Sequence, residues 1–225
     1  MWRIVKVVFI ALGTTVLGWC AANSVYFAKP ITARVVEAGT PTPLPGVTVV
    51  ADWQLQGGME GGRSMGHVAI LETVTDADGR FAFPGWGPRF ALPRGRLADR
   101  DPMLLFFKAG YFPKSLVNRH ESTAWVRTSD WDGATILLEP SSRRPDGYAS
   151  ALQGFEDRID VSFFYPGGCA WRRISHLLLA LSREAEALSR KETLTERLSL
   201  EHWMTSYPEC AFDEEHVRRN GQWRR

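Results

Sequence analysis

The hydrophobic pattern of the chain changes twice, near residues 29 and 140. Residues 7–28 form an uncharged, largely apolar run of 22 residues. Residues 31–139 then hold short segments rich in Val, Ile, Phe and Thr, separated by Gly, Pro and Asp, which is typical of β-strands joined by turns. Further on, apolar residues recur every three or four positions, as on one face of a helix. The pattern predicts an N-terminal segment (1–28), a β domain (29–140) and a helical extension (141–225).

The β domain is predicted to be a sandwich of seven antiparallel strands. Its clearest local unit is the Asp-Gly turn at 76–79, which leads into a strand where Phe81 and Phe83 share one face by the two-residue period. Two glycine-rich or proline-rich stretches, 56–66 and 85–102, are predicted to be loops, because glycine loses much entropy on ordering and proline cannot donate a ladder hydrogen bond.

An apolar stripe predicts a helix of about 20 residues in the extension. Its members are Trp171, Ile174, Leu178, Leu181, Ala185 and Leu188. A shorter helix is predicted at 194–203, which makes an antiparallel helical hairpin that packs on one face of the sandwich. A helix lying on a membrane surface and a coiled-coil dimer are the alternatives. The mixed charges of the outer face favour packing on the sandwich.

The N-terminal segment predicts export. Two positive charges, Arg3 and Lys6, precede the apolar run, which favours a cytoplasmic N-terminus and an exported remainder. Residues 20–22 (CAA) offer small residues at a signal-peptidase site, so that the mature chain would begin at Asn23. An uncleaved run would serve as a membrane anchor, lipidation at Cys20 is a third alternative, and a buried N-terminal strand or helix of a cytosolic protein is the fourth. The predicted location is the periplasm, free or anchored.

Export changes the meaning of the three cysteines, because disulfides persist in oxidising compartments. With Cys20 in the N-terminal segment, Cys169 and Cys210 are predicted to form a disulfide that joins the start of the first helix to the end of the second. No Cys or His lies at the short spacings of zinc sites around them, so no metal site is predicted.

Charge argues against nucleic acid as a partner. Lys and Arg number 27 against 25 Asp and Glu, and removal of Arg3 and Lys6 with the N-terminal segment leaves 25 against 25. A chain without excess positive charge lacks the phosphate attraction that dominates nucleic-acid binding.

Three motifs in the β domain carry a family resemblance. They are residues 43–49 (PLPGVTV), 75–83 (TDADGRFAF) and 107–111 (FKAGY), in this order. Over residues 31–139 the chain resembles the carboxypeptidase regulatory-like family, whose fold is a transthyretin-like β-sandwich of the prealbumin type. The resemblance implies a structural role for these turns and an accessory domain without catalysis, often attached to peptidases, receptors or surface proteins. The glycine-rich stretch and the 85–102 stretch depart from the family.

Catalytic and metal-binding patterns are weak in this chain. No histidine is followed by Glu three residues later, so the zinc carboxypeptidase pattern is absent. Asp76 and Asp78 lack the later ligands of a calcium loop, which favours a β-turn. Ser64 lies in a G-x-S-x-G spacing, but its neighbours are polar or glycine, unlike a strand-to-helix nucleophile elbow. The sequence therefore predicts no catalytic residues, no metal and no cofactor.

The predicted function is binding or scaffolding in the cell envelope, most simply of a protein partner. Trp86 and Trp131, each flanked by turn residues, are the predicted ligand-facing positions, because exposed aromatic rings bury much area at low entropic cost. A module that binds polysaccharide or cell wall through these rings is the first alternative. An accessory domain that acts with a separate peptidase is the second.

Overall fold

The computed structural model describes residues 25–57, 63–91, 95–164 and 169–189. These residues form eleven strands and two α-helices. The strands are β1 Val25–Ala28, β2 Ile31–Glu37, β3 Thr48–Gly57, β4 Arg63–Val74, β5 Arg80–Phe83, β6 Trp86–Phe90, β7 Arg96–Leu97, β8 Met103–Phe107, β9 Lys114–Leu116, β10 Val126–Arg127 and β11 Thr135–Leu138; the helices are α1 Tyr148–Ile159 and α2 Ser175–Ser189. Residues 1–24 and 190–225 lie outside, and with them the N-terminal segment and the predicted helix at 194–203.

The strands form three sheets. Sheet A has the order β10-β1-β6, sheet B the order β11-β2-β5, and sheet C the order β4-β3-β8-β9 with β7 also paired to β3. One buried cluster joins residues of sheets A and B to residues of sheet C, among them Tyr26, Phe83, Trp53 and Phe106. Sheets A and B therefore pack on one face of sheet C as a β-sandwich, which confirms the predicted architecture in its main lines.

The second face of sheet C is covered by the helices. Along β8, Leu104 and Phe106 belong to the sandwich core, whereas Leu105 and Phe107 belong to a second cluster with α1 and α2. Because successive side chains of a strand point to opposite faces, a strand buried on both faces needs an unbroken apolar sequence. The run MLLFF of β8 meets that need.

Helix α1 was not predicted, although its buried residues follow a helical spacing. Tyr148, Leu152, Phe155 and Ile159 recur at intervals of four, three and four and pack against β8 and α2. Glycines stand before and within the segment, at 147 and 154, and weaken the helical pattern in the sequence. Packing on sheet C supplies the stability that the local sequence lacks.

The first turn of α2 is capped from sheet C. The backbone N–H groups of His176 and Leu177 donate to the Glu72 carboxylate of β4, at 3.1 and 2.8 Å. Backbone N–H groups in the first turn of a helix commonly bond to groups outside it, and a negative charge at a helix N-terminus is favourable. Burial nevertheless raises the pKa of Glu72 to about 7, against the lowering effect of the two N–H groups.

The prediction of purely antiparallel sheets is wrong. β1 pairs with β10 in parallel, and β2 pairs with β11 in parallel. Each of the two later strands is reached through a long connection rather than a hairpin, and a long connection permits either direction. The seven predicted strands also fall short of the eleven that the structure describes.

The two predicted loops contain strands. β3 continues to Gly57 and β4 begins at Arg63, so most of the glycine-rich stretch forms the end of a hairpin. The 85–102 stretch holds β6 and β7. β6 pairs with β1, which lies inside the apolar N-terminal run. Because that run was predicted to be a signal or an anchor, the sequence did not indicate a strand that could pair with β6.

Gly87 of β6 has a φ of +138° and lies against the ring of Phe27, which leaves no room for a side chain.

The sandwich begins at Val25, four residues before the predicted boundary at residue 29. β1 is the central strand of sheet A, and its Tyr26 and Ala28 are buried in the sandwich core. Among the described residues, no helix has both the length and the apolar character needed to cross a membrane.

Candidate ligand-binding cavity

A cavity of about 320 Å³ opens at one end of sheet C. β3 forms its floor, the segment from Ala98 to Met103 forms one wall, and Val117 and Glu121 form the other. Four carboxylates and two amides line it: Asp52, Asp99, Asp101, Glu121, Gln54 and Gln56. The cavity is therefore rich in hydrogen-bond acceptors and has an apolar contribution from Val117 and Met103.

Asp52 is a fully buried carboxylate at the floor. Its Oδ1 lies 2.7 Å from Nδ1 of His67 on β4, and its Oδ2 accepts a hydrogen bond of 2.9 Å from Nε2 of Gln54. The His67 ring stacks on Phe163, with centroids 5.2 Å apart. Buried polar groups need such partners, because an unpaired group loses its hydrogen bonds to water and gains none in the protein. Asp52 thus links the cavity to the helical layer.

Asp101 is the second buried carboxylate of the cavity and is 3% exposed. Its Oδ1 lies 3.3 Å from Nη1 of Arg127, which is equally buried. Apart from the Arg127 guanidinium and the residue's own backbone N–H, neither Asp101 side-chain oxygen has a donor among the described residues. The pKa of Asp101 is raised to about 7, mainly by burial and to a lesser extent by the charges of Asp52 and Asp99, against the lowering effect of the Arg127 charge and of the backbone N–H. The cavity wall therefore contains an acceptor group that the protein leaves short of donors.

Arg127 joins sheet A to this wall. Its guanidinium donates to the backbone oxygens of Ser122 and Leu97 and lies 5.4 Å from the centre of the Tyr26 ring. A guanidinium carries five donors in a planar fork, so one side chain can bind several loops at once.

The loops around the cavity are tied together by Asn118, which is also buried. Its Nδ2 donates to the backbone oxygens of Asp101 and Thr128, at 2.7 and 2.8 Å. Its Oδ1 accepts from the backbone N–H of Asp130 at 3.0 Å. These bonds hold both walls in place, so the cavity exists before any ligand arrives.

The rim carries two exposed ion pairs. Arg96 Nη1 lies 2.6 Å from Asp99 Oδ1, and Arg100 Nη2 lies 3.2 Å from Glu121 Oε1. Exposed pairs of this kind contribute little to stability, because water screens them and two long side chains must be ordered. The rim arginines can therefore move aside at low cost and leave Asp99 and Glu121 to another cation.

Ser64 and His67 lie on one face of β4, although their spacing of three residues would place them on opposite faces of a regular strand. In the observed register Gln54 lies opposite His67 and Gln56 opposite Ser64, so one intervening residue of β3 faces two of β4, which is a bulge. Ser64 Oγ and His67 Nε2 are both buried without a hydrogen-bond partner, so they do not bond to each other. The described structure thus gives Ser64 no general base.

The predicted ligand-facing tryptophans are half-buried. Trp86 lies on β6, not in a turn, and packs edge-on against Trp53 with ring centroids 5.3 Å apart. Trp131 donates its Nε1–H to the backbone oxygen of Val117 at 3.0 Å, and the Arg119 guanidinium lies over its ring. The two rings flank the sandwich core, and their role toward a ligand stays a prediction.

Replacement of Trp86 by alanine is expected to destabilise the fold by about 2 kcal/mol, because the ring is half-buried against Trp53 and the residual space cannot collapse fully. Denaturant unfolding measures this loss. Trp125, 52% exposed, gives the matched control, and Trp125→Ala is expected to change the free energy of unfolding by less than about 0.5 kcal/mol. Equal effects of the two substitutions would mean that Trp86 is not held by the core.

Cys169 is disulfide-bonded and lies two residues before Trp171 of the helical cluster. Cys20 and Cys210 lie outside the described residues, so the pairing of Cys169 with Cys210 stays a prediction. Within the described ranges, no group of three or more His, Cys, Asp or Glu side chains is arranged to hold a metal ion.

The residues of the cavity were not singled out in the sequence. One signal was present, since Asp52 interrupts an otherwise apolar strand, and a charged residue inside a buried strand needs a partner. Asp101, Glu121 and Arg127 lie in segments without regular pattern, where nothing in the sequence marks them as neighbours.

Comparisons with known proteins do not show a family. No protein-family model matches the chain, and no curated protein matches it. The carboxypeptidase regulatory-like resemblance therefore stays a prediction.

Solved structures show only distant likenesses. A mutant type II cohesin–X-dockerin complex from Acetivibrio cellulolyticus is 15% identical, with a TM-score of 0.25, over 49% of this chain and 56% of the matched one. The 3-chlorocatechol 1,2-dioxygenase of Rhodococcus opacus 1CP is 12% identical, with a TM-score of 0.30, over 51% and 60%. The dioxygenase domain of a dioxygenase carbohydrate-binding protein fusion from Streptomyces sp. SirexAA-E is 16% identical, with a TM-score of 0.26, over 51% and 79%.

The alignments thus span less than two thirds of the first two matched chains. At these identities and TM-scores, the activities and partners of those proteins are not transferred to this chain. Its description as a β-sandwich with a helical layer rests on the strand pairing and the two buried clusters.

Proposed function

We propose that this protein is a non-catalytic binding module whose cavity receives a basic side chain of a protein partner. One observation carries the proposal: four carboxylates, Asp52, Asp99, Asp101 and Glu121, line the cavity. The charges of Asp52 and Asp99 raise the pKa of Asp101, so these carboxylates repel one another, and a cation that enters the cavity would relieve the repulsion. An ammonium or guanidinium supplies donors and a compensating charge together.

Most of the remaining lining supports the same ligand, and Arg100, the one cationic residue of the described lining, is exposed and paired with Glu121. Asp99 and Glu121 lie at the rim, paired only with exposed arginines, and Gln54 and Gln56 add amide oxygens. Met103 and Val117 offer apolar surface to the alkyl part of a lysine or arginine. Binding fits this arrangement better than catalysis, because the buried titratable groups are paired with one another, Asp52 with His67 and Asp101 with Arg127.

Export and a location in the cell envelope belong to the same proposal and are supported by the sequence. The predicted cleavage site after Ala22 precedes β1, so its use would leave the sandwich intact. A polysaccharide ligand at Trp86 and Trp131 is not favoured over the cavity, because both rings are half-buried and a guanidinium lies over each.

n-Butylguanidinium, an analogue of the arginine side chain, tests the cavity. We expect it to bind with a Kd on the order of 1 mM, the range for a fragment of this size, and n-butanol not to bind measurably. Titrations followed by protein NMR give both values. Asp99→Asn is expected to weaken binding, whereas Asp78→Asn, in an exposed turn away from the cavity, leaves it unchanged. No binding of the cation, or equal binding of the cation and the alcohol, would show that the carboxylates do not select a cation and would overturn the proposal.

A photocrosslinking amino acid identifies the partner in the native host. Val117 borders the cavity and is 44% exposed, and Val74, at 41%, is the matched position away from it. We expect a crosslinked protein from position 117, reduced by n-butylguanidinium, and none from position 74. The same adduct from both positions would mean that the cavity does not select it.

A further inference from the structure

The outer face of sheet A carries a row of exposed apolar side chains, which we call the sheet A patch. It consists of Phe27, Phe90 and Val126, and the exposed Trp125 precedes Val126 in the chain. Phe27 lies opposite Val126, and Val25, on the same face as Phe27, lies opposite Phe90. Phe90 is 72% exposed and Val126 is 47% exposed. An apolar cluster of this kind on a folded surface marks a contact site, whereas single exposed apolar residues need no explanation.

The patch differs from the second face of sheet C. There the helices bury Leu105 and Phe107 completely, whereas no described element covers the patch. The inward residues of the same strand, Tyr26 and Ala28, are buried in the sandwich core. Sheet A therefore has an apolar outer face in addition to its inner one, which is unusual for a sheet at a protein surface.

The sequence that leads into β1 indicates what covers the patch. The uncharged run begins at residue 7, and residues 7–24 precede β1 without an intervening linker. Eighteen residues at 1.5 Å each would extend about 27 Å as a helix, close to the thickness of a bilayer core. Phe90 pairs with Val25, the first residue of β1, and the whole patch lies within roughly 10 Å of that residue along the strands.

We propose that the N-terminal run is retained as a membrane anchor and that the sheet A patch rests on the lipid bilayer beside it. Trp and other aromatic side chains are favoured at the membrane–water interface, and an apolar face there is buried about 5–10 Å into the boundary of headgroups and acyl chains. Since the anchor joins the central strand of sheet A directly, the domain is held with this face at the membrane. The proposal does not depend on the ligand of the cavity.

Depth-sensitive quenching in nanodiscs tests this orientation. The full chain is reconstituted in phosphatidylethanolamine and phosphatidylglycerol, with or without a phosphatidylcholine that carries a nitroxide at carbon 5. A small fluorophore is attached through p-azidophenylalanine at position 126 or at position 137. Leu137 is the matched control, because it is 49% exposed on the neighbouring sheet B. This labelling leaves the cysteines unchanged.

We expect the nitroxide lipid to lower the emission at position 126 by roughly half and to leave position 137 unchanged. Phe90→Glu is expected to reduce the quenching at 126, whereas Glu at an exposed site of sheet B, Thr135→Glu, is not. Equal quenching at both positions, or quenching at neither, overturns the proposal. Recovery of a chain that begins near Asn23 and does not enter the nanodisc fraction overturns it as well, whereas the cavity proposal is unaffected by any of these results.

Discussion

Replacement of Arg127 by methionine is expected to lower the free energy of unfolding by about 4 kcal/mol at pH 8. Arg127 and Asp101 are both almost fully buried, and their closest side-chain atoms are 3.3 Å apart. Without the guanidinium, the Asp101 carboxylate would stay buried with no opposite charge beside it and only its own backbone N–H as a donor. The backbone oxygens of Ser122 and Leu97 would lose their donors as well.

The loss is expected to be smaller at pH 5. Burial already raises the pKa of Asp101 to about 7, and the Arg127 charge is the main influence that lowers it. Once Arg127 is removed, the pKa rises further and Asp101 is neutral at pH 5, where its burial costs less. Urea denaturation at the two pH values measures the difference.

The control is an exposed pair at the same cavity. Arg100 and Glu121 lie 3.2 Å apart with most of each side chain in water, so Arg100→Met is expected to cost less than about 1 kcal/mol at either pH. If Arg127→Met were no more harmful than Arg100→Met, the buried pair would not hold sheet A against the cavity wall.

As the pH rises from 5 to 8, ionisation of Glu72 is expected to lower the free energy of unfolding by about 3 kcal/mol. In the folded state burial raises the pKa of Glu72 from 4.5 to about 7. The folded protein therefore binds this proton more tightly than the unfolded chain. The resulting stabilisation is complete below pH 4.5 and is lost as the pH rises through 7, although the carboxylate formed there still accepts from His176 and Leu177.

Glu72→Gln removes the titration and keeps an oxygen to cap α2. We expect the unfolding free energy of this variant to depend less steeply on pH. The pH dependence that comes from Asp101 should remain. Glu121→Gln, which changes an exposed carboxylate, is the control. Its profile of unfolding free energy against pH should equal that of the parent protein. A profile of Glu72→Gln as steep as that of the parent would mean that Glu72 is ionised at pH 5 and that its burial is compensated.

Much of the β-sandwich was predictable from local pattern. β5 directly follows the Asp-Gly turn, where the two-residue period predicted a strand with Phe81 and Phe83 on one face, and both side chains are buried. Among the buried residues of α2, Leu178, Leu181 and Ala185 belong to the predicted stripe. These features depend on the period of apolar residues, which the sequence contains in full.

β1 and β6 were not predictable in the same way. β1 is the end of an apolar run that resembles a membrane segment, and β6 contains glycine and proline. Each becomes a strand because the other supplies its hydrogen bonds. Strand pairing between distant segments is a property of the tertiary structure, and neither partner shows it alone.

The sequence by itself determined the sandwich, the apolar stripe of the helical layer and the uncharged N-terminal run, because each of these is set by the order of apolar and polar residues. Only the tertiary structure decided the cavity and the sheet A patch. Asp52, His67, Asp101 and Arg127 meet through strand register and a bulge, and the patch forms where β1 lies between β6 and β10. Contacts between residues far apart in the chain depend on how the segments pair, and that pairing is fixed by the burial of the whole core.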